Sequence, residues 1–109
     1  MKNFEFKLDK VLNVREIEED LAQNELVKAR HEVRKIEKNI NYLNEIQKET
    51  YSFLRGDNTD PAKSLQARRY LNVNRTKISK AERRLEKQGE IVEEKREEVV
   101  EKSQNRKML

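Results

Sequence analysis

Arg55-Gly56-Asp57-Asn58-Thr59-Asp60-Pro61 is the one stretch of this chain where helix-forming residues give way to turn-forming ones. Gly56 suits a left-handed residue just past a helix end. Asp60 suits an N-cap, and Pro61 suits the first position of a new helix, where its missing N–H costs nothing. The stretch predicts a helix over about 8–54, a turn over 55–60 and a second helix over about 61–109. Outside it the chain has a single further glycine, Gly89, and no proline.

Upstream of the turn, alternating steps of four and three from Leu8 give Leu8, Leu12, Arg15, Glu19, Ala22, Leu26, Ala29, Val33, Ile36, Ile40, Leu43, Gln47, Thr50 and Leu54. Ten of these fourteen are apolar where 34% of the whole chain is hydrophobic, which marks the 3.5-residue period of a coiled coil. Val11, Val14, Ile17 and Leu21 form an adjacent stripe near the start, and Ile46 and Phe53 another near the end. Both are predicted to broaden the contact face.

Downstream, one heptad position reads Leu71, Ile78, Leu85, Val92 and Val99, while the other carries Asn74, Ala81, Gln88, Lys95 and Lys102, and the seam runs on to Arg106 and Leu109. Such a half-polar seam, with Gly89 costing roughly 1 kcal/mol relative to Ala, needs a neighbour. Two helices of near-equal length, each roughly 70 Å at ~1.5 Å per residue, invite folding back about the turn. The predicted fold is all-α: an antiparallel two-helix coiled-coil hairpin forming one domain over 1–109. One continuous helix in a parallel dimer would carry Gly56 and Pro61 through its middle, and an interior proline alone costs ~3 kcal/mol.

Composition narrows the function classes. At 109 residues, 42% charged against 34% hydrophobic, little material is left for a conventional globular core. Cysteine is absent and His31 is the only histidine, so neither a disulfide framework nor a thiolate or paired-histidine metal site is expected. No phosphate loop, nucleophile elbow or dinucleotide fingerprint appears, and no catalytic residue, cofactor or metal is predicted. No run approaches the ~18 apolar residues of a membrane span and the start lacks a signal-peptide core, so a cytoplasmic placement is expected. Arg55-Gly56-Asp57 spells an integrin-recognition tripeptide, but each residue has a turn role. Asn74-Arg75-Thr76 matches a glycosylation sequon and reads as helix.

The net charge of +4 conceals a separation. Residues 61–87 carry nine Lys or Arg against two Glu, while Glu90, Glu93, Glu94, Glu97, Glu98 and Glu101 crowd 90–101 and residues 16–25 are acidic without a basic residue. Folding about the turn is expected to set these two acidic segments side by side. Glu90/Glu94, Glu93/Glu97, Glu94/Glu98 and Glu97/Glu101 are like-charged i,i+4 pairs costing ~0.2–0.5 kcal/mol each. Either the blocks are solvated faces that keep a marginal coiled coil soluble, or the two ends are meant for different surfaces. Nucleic acid is not the expected partner of the basic stretch, because Tyr70 is its only aromatic and no zipper follows a basic region in the required order.

The start, Phe4-x-Phe6-x-Leu8-Asp9-Lys10-Val11-Leu12-Asn13-Val14-Arg15-x-x-Glu18-Glu19, followed by a helix with Leu26 and Ala29, resembles the FliJ family of flagellar type III export proteins. Arg69-Tyr70-Leu71 with Ile78 is similar to the family's stretch after the turn. The resemblance implies a non-enzymatic coiled-coil hairpin like the central stalk of rotary ATPases, at the inner face of the cell membrane and held there through partners only. Those partners are the hexameric export ATPase, the membrane export-gate subunit and export chaperones. It implies ATPase-ring contact through Phe4, Phe6, Leu8, Val11, Leu12 and Arg15, and export-gate contact through Tyr70, Asn74 and Lys77. At Asn74 the family commonly has a large apolar residue, which weakens that expectation. Members usually continue for roughly a third more residues, whereas this chain stops at Met108-Leu109 without a helix-ending signal. The rival reading from the residues alone is a generic coiled-coil adaptor or chaperone that oligomerises through its heptad seam, with Asn74, Gln88 and Lys95 setting specificity.

Overall fold

The computed structural model describes residues 2–56 and 60–108. Two helices follow in order, α1 (Lys2–Arg55) and α2 (Pro61–Lys107), with no strand among the described residues. α1 begins at Lys2 rather than near Leu8, because nothing in Lys2–Lys7 breaks a helix and Glu5 in the first turn complements the helix dipole. α2 begins where the turn chemistry places it. Ala62 N donates to Asp60 Oδ1 at 3.0 Å and Ser64 N to the Asp60 carbonyl at 3.1 Å, so Asp60 caps the helix and Pro61 takes its first position.

The exit from α1 differs from expectation. Gly56 is not left-handed, since no described residue has a positive φ. Its N–H reaches back to the carbonyls of Ser52 at 3.0 Å and Phe53 at 3.3 Å, which keeps it on the right-handed path of the last turn. Residues 57–59 of the predicted turn, including Asp57 of the Arg-Gly-Asp tripeptide, lie outside the described residues, as does Leu109 of the second seam.

The fold divides into two compact units, one built from the chain up to Glu32 and from Gln88 onward, the other from Val33–Lys87. In the Val33–Lys87 unit, Leu43, Leu71 and Ala81 are buried and Ile36, Ile40, Ile78 and Leu85 half-buried between the two helices. Ala81 is 0% exposed; a methyl there lets the backbones approach. Asn74, 2% exposed, donates from Nδ2 to the Leu43 carbonyl at 2.9 Å. A polar side chain in the seam is tolerated because it finds an acceptor on the other helix.

In the other unit Ala22, Leu26 and Ala29 are buried and Val92 and Val99 half-buried. Gln88 Nε2 donates to the Ala29 carbonyl at 3.1 Å. Asn74 and Gln88 thus use the same device two heptads apart. Further along, Lys102 Nζ lies 3.5 Å from Glu18 Oε2, and Arg106 Nε pairs with Glu19 Oε2. The expected apposition of two acidic segments is corrected here: Glu18 and Glu19 face basic residues that follow the acidic run, whose long side chains reach across the seam. Each described seam position except Leu8 is buried or half-buried. The polar half of the second seam is accounted for residue by residue, by amide-to-carbonyl bonds at Asn74 and Gln88 and ion pairs at Lys102 and Arg106.

Candidate functional site

The residues expected to meet an ATPase ring belong to the unit that contains both ends of the described chain, and they divide by burial. Phe4 and Phe6 are each 68% exposed, and Leu8 and Val11 are also exposed. Leu12 and Arg15 are half-buried, and Arg15 Nη1 donates to the Asn105 carbonyl at 3.0 Å. Arg15 therefore ties the two helices together while its neighbours face outward. Val14, Ile17 and Leu21 are exposed as well, which corrects the expectation that this stripe joins the seam. α2 has no side chain long and apolar enough opposite it, since Glu98, Lys102 and Asn105 occupy that side.

The result is an aliphatic band on α1, set off from the seam by one residue, with Phe4 and Phe6 at its start. Val11, Val14, Lys7, Lys10, Arg15 and Asn105 line an open groove of about 650 Å³ beside it. A contiguous exposed apolar band rimmed by lysines is the composition of a protein-contact surface. Sequence reasoning named Phe4, Phe6, Leu8 and Val11 but assigned Val14, Ile17 and Leu21 to packing. Their phase, one position off the seam, was the available signal.

The residues expected at the export gate belong to the Val33–Lys87 unit. Tyr70 and Lys77 are exposed and flank Asn74, which is itself inside the seam. Asn74 has no free surface to offer a partner; its amide is occupied with Leu43. Lys77 lines a groove of about 440 Å³ with Asn39, Lys80, Arg84 and Lys87. Tyr70 lines another of about 430 Å³ with Phe53 and Lys63. In the same unit Arg75 hydrogen-bonds the Tyr51 hydroxyl, its guanidinium carbon 5.9 Å from the ring centroid. That bond, helped by one from Gln47, holds the Tyr51 phenol below the ordinary tyrosine range.

Among the described residues no group of three or more His, Cys, Asp or Glu could hold a metal ion, and no helix is long and apolar enough to cross a membrane. The features that stand out are contact surfaces on a helical hairpin, and they define the class: a coiled-coil interaction protein. The chain matches the family described as Flagellar FliJ protein over residues 4–109. It belongs to the FliJ family, whose members are non-catalytic components of flagellar type III export. No curated protein and no solved structure matches it.

Proposed function

We propose that this chain acts as the central stalk and activator of the flagellar export ATPase ring, and that it links the ring to the export gate and to export chaperones. The observation that carries the proposal is the uncovered apolar end of α1. Phe4 and Phe6 are exposed together with Leu8, Val11, Val14, Ile17 and Leu21. Leaving several large apolar side chains in water, where each gains about 1.5–3 kcal/mol on burial, is consistent with a partner that covers them. Family membership supplies the apparatus in which that partner acts.

The heptad seams are already occupied within each unit, so a seam-driven adaptor has no surface left to use. The gate contact falls to Tyr70 and Lys77, with Asn74 supporting the helix beneath them. Titrating the chain into a purified cognate export ATPase, with turnover and binding recorded in the same samples, tests the reading. Saturable stimulation is expected, and Phe4→Ala with Phe6→Ala abolishes it while leaving helicity unchanged. A wild-type chain that neither binds nor stimulates overturns the stalk assignment.

A further inference from the structure

Alternating steps of three and four along α2 from Lys77 trace one helix stripe beside the seam. Its first part is basic: Lys77, Lys80, Arg84 and Lys87, all exposed. Ile91 follows, exposed. Its last part is acidic: Glu94 and Glu101, exposed, and Glu98, half-buried. Read backwards, the stripe sets Lys77 against Glu101, Lys80 against Glu98, Arg84 against Glu94 and Lys87 against Ile91. A stripe whose charge inverts about its own midpoint is complementary to itself under a two-fold axis. The same reversal continues outward, pairing exposed Tyr70 with Met108, which is 82% exposed.

Within one chain these charges go unused. Glu98 lies 3.6 Å from Lys95, and the other charged members of the stripe make no ion pair among the described residues. They cannot meet one another, because they share one helix. Lys80/Arg84 and Glu94/Glu98 are instead like-charged i,i+4 neighbours that repel. From this arrangement we infer that the partner of the stripe is a second copy of this chain, its α2 laid antiparallel so that the basic part of each copy meets the acidic part of the other. An anionic surface such as nucleic acid or acidic lipid would take the basic part and repel the acidic part on the same stripe. The contact is isologous and closes at two copies. Its pairs are solvent-exposed, so it is weak, reversible and screened by salt. It is separate from the apolar band on α1 and goes beyond the stalk reading.

Sedimentation equilibrium of the full chain tests this. A monomer–dimer equilibrium is expected, with a dissociation constant that rises at least about tenfold between about 0.1 and 1 M salt, as screening shortens from about 10 Å to about 3 Å. Lys80→Glu with Arg84→Glu makes the stripe acidic, and Glu94→Lys with Glu98→Lys makes it basic. Each double variant alone is expected to be monomeric with wild-type helicity by circular dichroism. Mixed in equal amounts, the two are expected to form a heterodimer, because every reversed residue then meets one of opposite sign. The mixture also guards against misfolding, since an unfolded variant could not regain a specific partner. A wild-type chain that stays monomeric at all concentrations overturns the inference. So does a dimer indifferent to both reversals, or a mixture that stays monomeric.

Discussion

Replacing Asn74 with leucine removes a buried hydrogen bond, and the geometry predicts that it stabilises the protein. Asn and Leu share the same branched skeleton beyond Cβ, so the exchange keeps the outline of the side chain between the helices. What is lost is the bond from Nδ2 to the Leu43 carbonyl, a net contribution of about 0.5–1.5 kcal/mol. The carbonyl itself is not orphaned, because Leu43 lies inside α1 and keeps its helical donor four residues on. What is gained is a leucine at a position 2% exposed, worth about 1.5–3 kcal/mol on burial, with about 0.5 kcal/mol from helix propensity. The apolar term wins by about 1–2 kcal/mol, at about 4–8 °C in Tm per kcal/mol for a chain this small. Urea unfolding followed by circular dichroism at 222 nm measures it, and a loss exceeding about 1 kcal/mol would refute the reasoning. Asn74→Asp is the control with the opposite sign. Its carboxylate has no N–H to donate and is desolvated, for an expected loss of about 3 kcal/mol at neutral pH. Burial raises the folded pKa of this Asp above its unfolded value. Relative to wild type, the variant should therefore be least impaired below about pH 3.9 and lose stability as pH climbs toward the raised value.

Gly89→Ala should stabilise the chain by about 1 kcal/mol in thermal unfolding, since a Cβ there meets nothing within 4 Å and glycine is the poorer helix former; a loss would show that the open space is used. Arg106→Ala should cost about 1 kcal/mol, more than an ordinary surface pair, because the Glu19 side chain it leaves behind is only 12% exposed; the swap Glu19→Arg with Arg106→Glu should recover most of that in a double-mutant cycle. Alkaline titration of phenol absorbance should show ionisation beginning below the ordinary tyrosine range, and Arg75→Leu should remove that early phase. Because the Tyr51 pKa is lowered on folding, the linked stability is present above the unfolded tyrosine pKa of about 10 and disappears as pH falls through the lowered value. Arg75 should thus matter more to urea stability at high pH than at neutral pH, and equal effects at both would contradict the assignment.

How much of this was legible in the residues depended on whether the signal was local or relational. The period from Leu12 to Leu54 and from Leu71 to Arg106 located the seam, because a heptad of apolar residues has few other uses. Asp60-Pro61 located the start of α2, because N-cap chemistry is confined to a few consecutive atoms. Gly56 misled, since glycine permits a left-handed exit without demanding one. Val14, Ile17 and Leu21 were hydrophobic in the right neighbourhood, yet whether an apolar stripe is covered depends on what the other helix offers opposite it. Asn74 carried the same ambiguity. A polar seam residue can face out or cross over, and only the position of the Leu43 carbonyl decides between them. The contact assignments at Phe4, Phe6, Tyr70 and Lys77 came from family likeness, and composition could not have supplied them.

The amide-to-carbonyl bonds at Asn74 and Gln88 also have a mechanical meaning. Leucine-on-leucine contacts resist separation of two helices but are nearly indifferent to a small axial glide, because one methyl is much like the next. A directional bond from a side chain on one helix to a fixed backbone atom on the other stretches at once under such a glide, yet tolerates a slight roll about the helix axis. Each unit is therefore stiff to shear and softer to torsion, a body that can wind under load while its two strands keep their alignment.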